Sequence, residues 1–95
     1  MTKRVHYPVH KDKIAEAIEL YTKYAGCMFD REKSQPIWDA FYEKAGEISP
    51  FTHCRIAIPS LFHAMEFAGT LTVDNVYNAI IVAGINTKLE EVNDA

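Results

Sequence analysis

Residues 61–84 read LFHAMEFAGTLTVDNVYNAIIVAG, and their spacing decides the fold class. Leu61, Phe62, Ala64, Met65, Phe67 and Ala68 recur at helical intervals until Gly69 stops them. Thr72 then offers a cap, Asp74 and Asn75 occupy a first turn, and Val73, Val76, Tyr77, Ala79, Ile80, Ile81, Val82 and Ala83 follow before Gly84 ends the run. Both predicted helices are apolar around more than half of their circumference. Such a helix lies either at the centre of a core or against a partner. The wider stretch from Pro50 to Asn86 has 37 residues, of which only Arg55, Glu66 and Asp74 are charged. Either these helices form the middle of the fold, or part of their surface is an interface.

Working upstream, Ser49-Pro50 predicts a helix over about 50–57, and Pro59-Ser60 starts the stretch just described; one helix kinked around Pro59 is the alternative. Cys54 to Ile58 also alternates as a strand would, and Val5–Val9 could pair with it. Ser34-Gln35-Pro36 predicts the start of a helix carrying Ile37, Trp38, Phe41, Tyr42 and Ala45 on one stripe, with Gly46 as its end. Ile14, Ala17, Ile18, Tyr21, Tyr24 and Ala25 predict a first helix from about Lys11 to Tyr24, ended by Gly26 or continuing to Phe29. Residues 1–10 read as an extended arm, since Pro8 disfavours helix at Tyr7. Downstream, Thr87-Lys88-Leu89-Glu90 has the form of a capping box and predicts a short last helix. The expected architecture is a single all-α domain over 1–95: a bundle of four to five short helices with an extended N-terminal arm.

Composition agrees with a globular chain: 48% of the 95 residues are hydrophobic and 24% charged, far from the disordered class. Cys27 and Cys54 are too few for a disulfide scaffold and read as reduced thiols. The polar, basic start Met1-Thr2-Lys3-Arg4 does not resemble a signal peptide. The longest strongly apolar run, Ala79 to Ile85, is far shorter than the roughly 20 residues a bilayer requires. A cytoplasmic location without membrane contact is the expectation. The net charge of −3 is unevenly spread: residues 1–33 carry +2 and residues 34–95 carry −5. The acidic two-thirds would repel a phosphate backbone, so nucleic-acid binding through Lys3, Arg4, Lys11, Lys13 and Lys23 ranks low.

Site chemistry finds little to build on. His6 and His10 have the spacing of two ligands on one helix face, but Pro8 lies between them. His53 and Cys54 are adjacent, so they point in different directions on a helix. The four glycines are scattered, which removes a phosphate-cradling loop. No catalytic residue, cofactor or metal ligand is assigned. Val76 to Val92 has the outline of a helix-turn-helix, but its second helix would carry one Lys against three acids. The same stretch resembles a pentatricopeptide-type helical hairpin over less than a quarter of the chain. It is present as one copy, and that family's RNA binding is not carried over.

The expected function is non-enzymatic protein binding: an accessory subunit, adaptor or inhibitor of a larger protein, or a self-associating homo-oligomer. The residues expected to meet a partner are Trp38, Phe41, Tyr42, Phe62 and Phe67, with Lys3, Arg4, Lys11 and Lys13 on the basic arm; Trp and Tyr are favoured at interface centres. The alternative is a small ligand-binding or enzymatic pocket around His53, Cys54 and His63.

Overall fold

The computed structural model describes residues 1–49 and 53–91, with His53 and Cys54 described by backbone alone. In chain order the elements are β1 (Thr2–His6), α1 (Lys11–Gly26), α2 (Arg31–Glu47), α3 (His53–Ala68), α4 (Val73–Ala83) and β2 (Thr87–Glu91). The described residues are thus mostly helical and form four helices and a two-stranded antiparallel sheet. None of these helices is long and apolar enough to cross a membrane.

α1 is the central helix. It packs against both α2 and α4, and α3 packs against α2. Its buried residues Ile14, Ala17 and Tyr21 recur every three to four positions, the spacing that aligns side chains on one face. They meet Phe41 and Ala45 of α2, Ile48 just beyond it, Ile58 and Phe62 of α3, and Val76 and Ile80 of α4. The rings form a continuous chain: Tyr24 to Trp38 at 4.9 Å between centroids, Trp38 to Phe41 at 5.4 Å, Phe41 to Phe62 at 5.4 Å and Tyr21 to Phe62 at 5.8 Å. Tilted and edge-on pairs at such spacings add stability beyond the buried area.

α2 begins a turn earlier than Ser34-Gln35-Pro36 predicts. The Asp30 side chain accepts from the Lys33 backbone N–H, and an acid at that end also meets the positive end of the helix dipole. Pro36 then costs only one hydrogen bond in the second turn. Gly46 does not end α2 either; a Cβ there would lie 2.7 Å from the Arg55 guanidinium, which lies against the helix backbone. Cys54 to Ile58 is helical rather than extended, and α3 runs unbroken through Pro59. The helix start predicted at Ser49-Pro50 falls partly on residues 50–52, outside the described residues, and α3 is helical from His53.

Two glycines do end helices. Gly69 has φ +73° and Gly84 φ +69°, the left-handed region that side chains avoid. In both, the next two amides fold back on the last turn. Gly69 N–H donates to Glu66 and Thr70 N–H to Met65; Gly84 N–H donates to Ile81 and Ile85 N–H to Ile80. These are paired Schellman bonds. The Thr72 hydroxyl accepts from Asn75 N–H at 3.2 Å and starts α4.

The all-α expectation is corrected at the two ends of the chain. The N-terminal arm is strand β1, and residues 87–91 are strand β2 rather than the helix that the Thr87-Lys88-Leu89-Glu90 pattern predicts. Val5 lies opposite Lys88, Lys3 opposite Glu90 and Thr2 opposite Glu91. Tyr7 N–H donates to the Asn86 carbonyl at 2.9 Å, and the Asn86 side-chain amide donates to the Tyr7 carbonyl at 2.8 Å. Arg4 Nη1 donates to Thr87 Oγ1 at 2.8 Å, and the Tyr7 hydroxyl to Glu90 at 3.0 Å. The Thr87 hydroxyl, which would have to accept from a first-turn amide to cap a helix there, instead donates to the Gly84 carbonyl at 2.7 Å and accepts from Arg4. The helix-turn-helix outline and the likeness to a helical hairpin fall with that strand.

Candidate protein-binding cleft

The C-terminal half of α1, the first half of α2 and the second half of α3 do not close on one another. Between them runs an open cleft of 410 Å³ lined by Tyr21, Tyr24, Met28, Trp38, Pro59, Ser60, His63 and Ala64. The cause is local. α1 ends at Gly26, and the turn to α2 carries Met28 and Phe29 outward before Asp30 caps the next helix. Phe29 is 99% exposed and Met28 40%. On α3, Phe62 and Ile58 face the core one turn apart, which leaves Ser60, His63 and Ala64 on the cleft side and Phe67 94% exposed.

The cleft continues at both ends. Toward the start of α2 a hollow of 250 Å³ is lined by Tyr24, Met28, Arg31, Ser34, Gln35 and Trp38. Toward the end of α3 a hollow of 160 Å³ is lined by Tyr21, Met28, His63, Glu66 and Phe67. Met28 touches all three.

Polar side chains interrupt the wall, among them Tyr21, Ser60 and His63. The Tyr21 hydroxyl lies 3.3 Å from His63 Nδ1. Burial pushes the phenol up to about 12, and Glu66 adds to the rise by accepting from it and by its negative charge. The hydroxyl therefore stays protonated near neutrality and acts as a hydrogen-bond donor. An apolar, aromatic groove with a few polar groups in its wall is suited to recognition.

The residues expected to meet a partner divide into three groups. Trp38 and Phe67 line the cleft. Phe41 and Phe62 are wholly buried and hold the helices together; they have no surface to offer. Tyr42 is partly exposed and lies 5.5 Å from the Arg55 guanidinium, in none of the three hollows. The basic residues are also elsewhere: Lys11 contacts Asp74 at 3.5 Å and lies 4.6 Å over the Tyr77 ring, and Lys13 contacts Glu16 at 3.5 Å. Lys3 and Arg4 belong to the strand pair. Along α3 the backbones of His53 and His63 lie ten helical residues, about 15 Å, apart. His63 lines the cleft, and the side chains of His53 and Cys54, the other two members of the expected pocket, lie outside the described residues. Among the described residues no three His, Cys, Asp or Glu side chains gather as metal ligands would.

Sequence reasoning missed Tyr24, Met28 and Phe29 as surface groups. The signal was present: an apolar pair stands between a glycine and an N-capping aspartate, where a turn must be. Comparison with protein-family models, curated proteins and solved structures finds no match to this chain.

Proposed function

We propose that this chain is a protein-binding domain and that a protein segment docks in the α1–α2–α3 cleft. The observation that carries the reading is the exposure of Phe67 at one end of an aromatic groove and of Phe29 beside Met28, which lines its full length. Two phenyl rings in water beside an open apolar groove leave about 1.5–3 kcal/mol each to be gained on burial. Aromatic residues and methionine are also the types enriched where protein interfaces form.

The test is a photo-crosslinking amino acid placed at Ala64, in the cleft wall, and separately at Ala15, exposed on α1. In the cells that make the protein, Ala64 should yield a discrete protein adduct that Ala15 does not, and Met28→Asp should abolish it. Equal adducts from both positions, or none from Ala64, would remove the cleft as a docking site.

A second reading has one observation in its favour. A hollow of 410 Å³ lies in the range of roughly 300–1,000 Å³ used by small ligands, and the Tyr21 hydroxyl, Ser60 and His63 could orient one. A small apolar ligand would then raise the melting temperature of the purified chain without any protein adduct.

A further inference from the structure

The charges at the two ends of the cleft indicate what fills it. Arg31 stands in the wall of the hollow beside α2, and Glu66 in the wall of the hollow at the end of α3. Neither makes an ion pair among the described residues. The central hollow between them shares Tyr24, Met28 and Trp38 with the Arg31 end and Tyr21, Met28 and His63 with the Glu66 end, while the two ends share Met28 alone. The order along the groove is therefore cation, apolar centre, anion.

A groove of this kind is complementary to itself. A half-turn about an axis through its centre exchanges the two ends, so two copies laid face to face set Arg31 of each against Glu66 of the other. Both contacts are favourable and identical, as a two-fold interface requires. Resting on the cleft's role in protein binding, we infer that its occupant is a second copy of this chain, joined through the cleft in an isologous dimer. Phe67 lines the Glu66 end. The half-turn carries it to the Arg31 end of the second copy, where a hollow of 250 Å³ backed by Tyr24 and Trp38 is open.

The surface available is of the right order. Phe29 and Phe67 offer roughly 150–250 Å² each, and Met28 with the cleft walls adds to that. A stable pair needs about 800 Å² from each partner. A foreign helix could cover the apolar centre, but it would have to bring an acid and a base at the matching separation. The second copy has them by construction.

Charge reversal tests this directly. The mass in solution is measured by light scattering and sedimentation equilibrium across a concentration series. The unaltered chain should dimerise. Arg31→Glu and Glu66→Arg each turn two attractive contacts per dimer into two repulsive ones, and each should weaken the dimer roughly tenfold or more. The double variant R31E/E66R should recover most of the loss. An equimolar mixture of the two single variants should form a heterodimer at concentrations where neither associates alone, because every contact in it is again attractive. Phe67→Asp should give a monomer with unchanged helicity.

A chain that stays monomeric to about 1 mM, or a dimer indifferent to both reversals, overturns the inference. The crosslink at Ala64 separates this from the broader reading. An Ala64 adduct of foreign mass on a monomeric chain overturns the dimer and leaves the cleft as a docking site. Absence of any Ala64 adduct overturns both. An adduct at twice the chain mass that is lost in R31E and restored in R31E/E66R supports both.

Discussion

Phe62→Ala and Phe67→Ala delete the same ring from the same helix, and the structure assigns them opposite consequences. Phe62 is wholly buried and packs on Phe41 at 5.4 Å and on Tyr21 at 5.8 Å. Truncating such a ring costs the transfer of its apolar surface plus the cavity left behind, about 3–5 kcal/mol. A chain of this length has about 5–14 kcal/mol of total stability, so Phe62→Ala removes a large part of it. At about 0.2 kcal/mol/K of unfolding entropy for this size, the melting midpoint should fall by roughly 15–25 °C. Phe67 is 94% exposed and should change stability by less than about 0.5 kcal/mol. The assay is thermal and urea unfolding followed by circular dichroism, at a concentration low enough to hold both variants monomeric. Equal losses in the two variants, or a larger loss in Phe67→Ala, would mean that α3 is rotated about its axis relative to this structure, and the cleft would go with it.

The remaining predictions test other joints. Tyr21 keeps its proton up to about 12 against an ordinary 10; the folded state holds it more tightly than the unfolded one, so the stabilisation is complete below pH 10 and drains as pH rises toward 12. Urea unfolding should therefore show about 2 kcal/mol more loss between pH 9 and 11.5 in the parent than in Tyr21→Phe, and identical pH slopes would refute the assignment. Gly84→Ala forces a side chain into φ +69° and should cost about 1–2 kcal/mol in the same unfolding assay, whereas Gly26→Ala, with open space and no positive φ, should not. Gly46→Ala places a methyl 2.7 Å from the Arg55 guanidinium; the arm must move off Tyr42, and the Arg55 side-chain resonances should shift while α1 amides do not. Val5→Pro removes a donor that faces β2, as the Tyr7 to Asn86 bond and strand alternation require. Hydrogen exchange should then rise at residues 87–91 and leave the α1 and α2 amides protected.

How much could be read in advance followed from how local each cause is. α4 was legible in full because its signals are its own: Thr72 caps it, Val76 and Ile80 face inward, and Gly84 ends it in a conformation that glycine prefers. α1 was legible for the same reason. β2 was not, because Thr87-Lys88-Leu89-Glu90 has a helix start written in it. What overrides that start comes from 79 and 83 residues away, where Tyr7 holds Asn86 and Arg4 holds Thr87. Pro59 misled in the other direction: a proline that weakens a helix does not end one whose neighbours Ile58 and Phe62 are anchored in the core. The cleft was half legible. The charge-poor stretch is both core and surface, since Phe62 and Phe67 alternate between the two along one helix, and spacing alone could not say which ring faced in.

The uneven charge along the chain can now be given a structural cause. Read alone, a basic start and an acidic remainder only made nucleic acid an unfavourable partner. In the fold the two ends meet: the Met1 ammonium contacts Glu91 at 3.2 Å, Lys3 lies opposite Glu90, and Lys11 reaches Asp74. Exposed pairs of this kind contribute about 0–1 kcal/mol each, too little to hold the ends together unaided. Their larger effect is on register. A slip of two residues in one direction would set Lys3 against Lys88, a like-charge pair that destabilises a strand pairing. A slip in the other direction would move Tyr7 away from Asn86 and break both of the bonds between them. The basic arm is therefore committed within the molecule: Arg4 to Thr87, Lys11 to Asp74 and the Tyr77 ring, Lys13 to Glu16. A phosphate backbone would have to compete for Lys11 and Lys13 with acids already in place, and for Arg4 with the Thr87 hydroxyl.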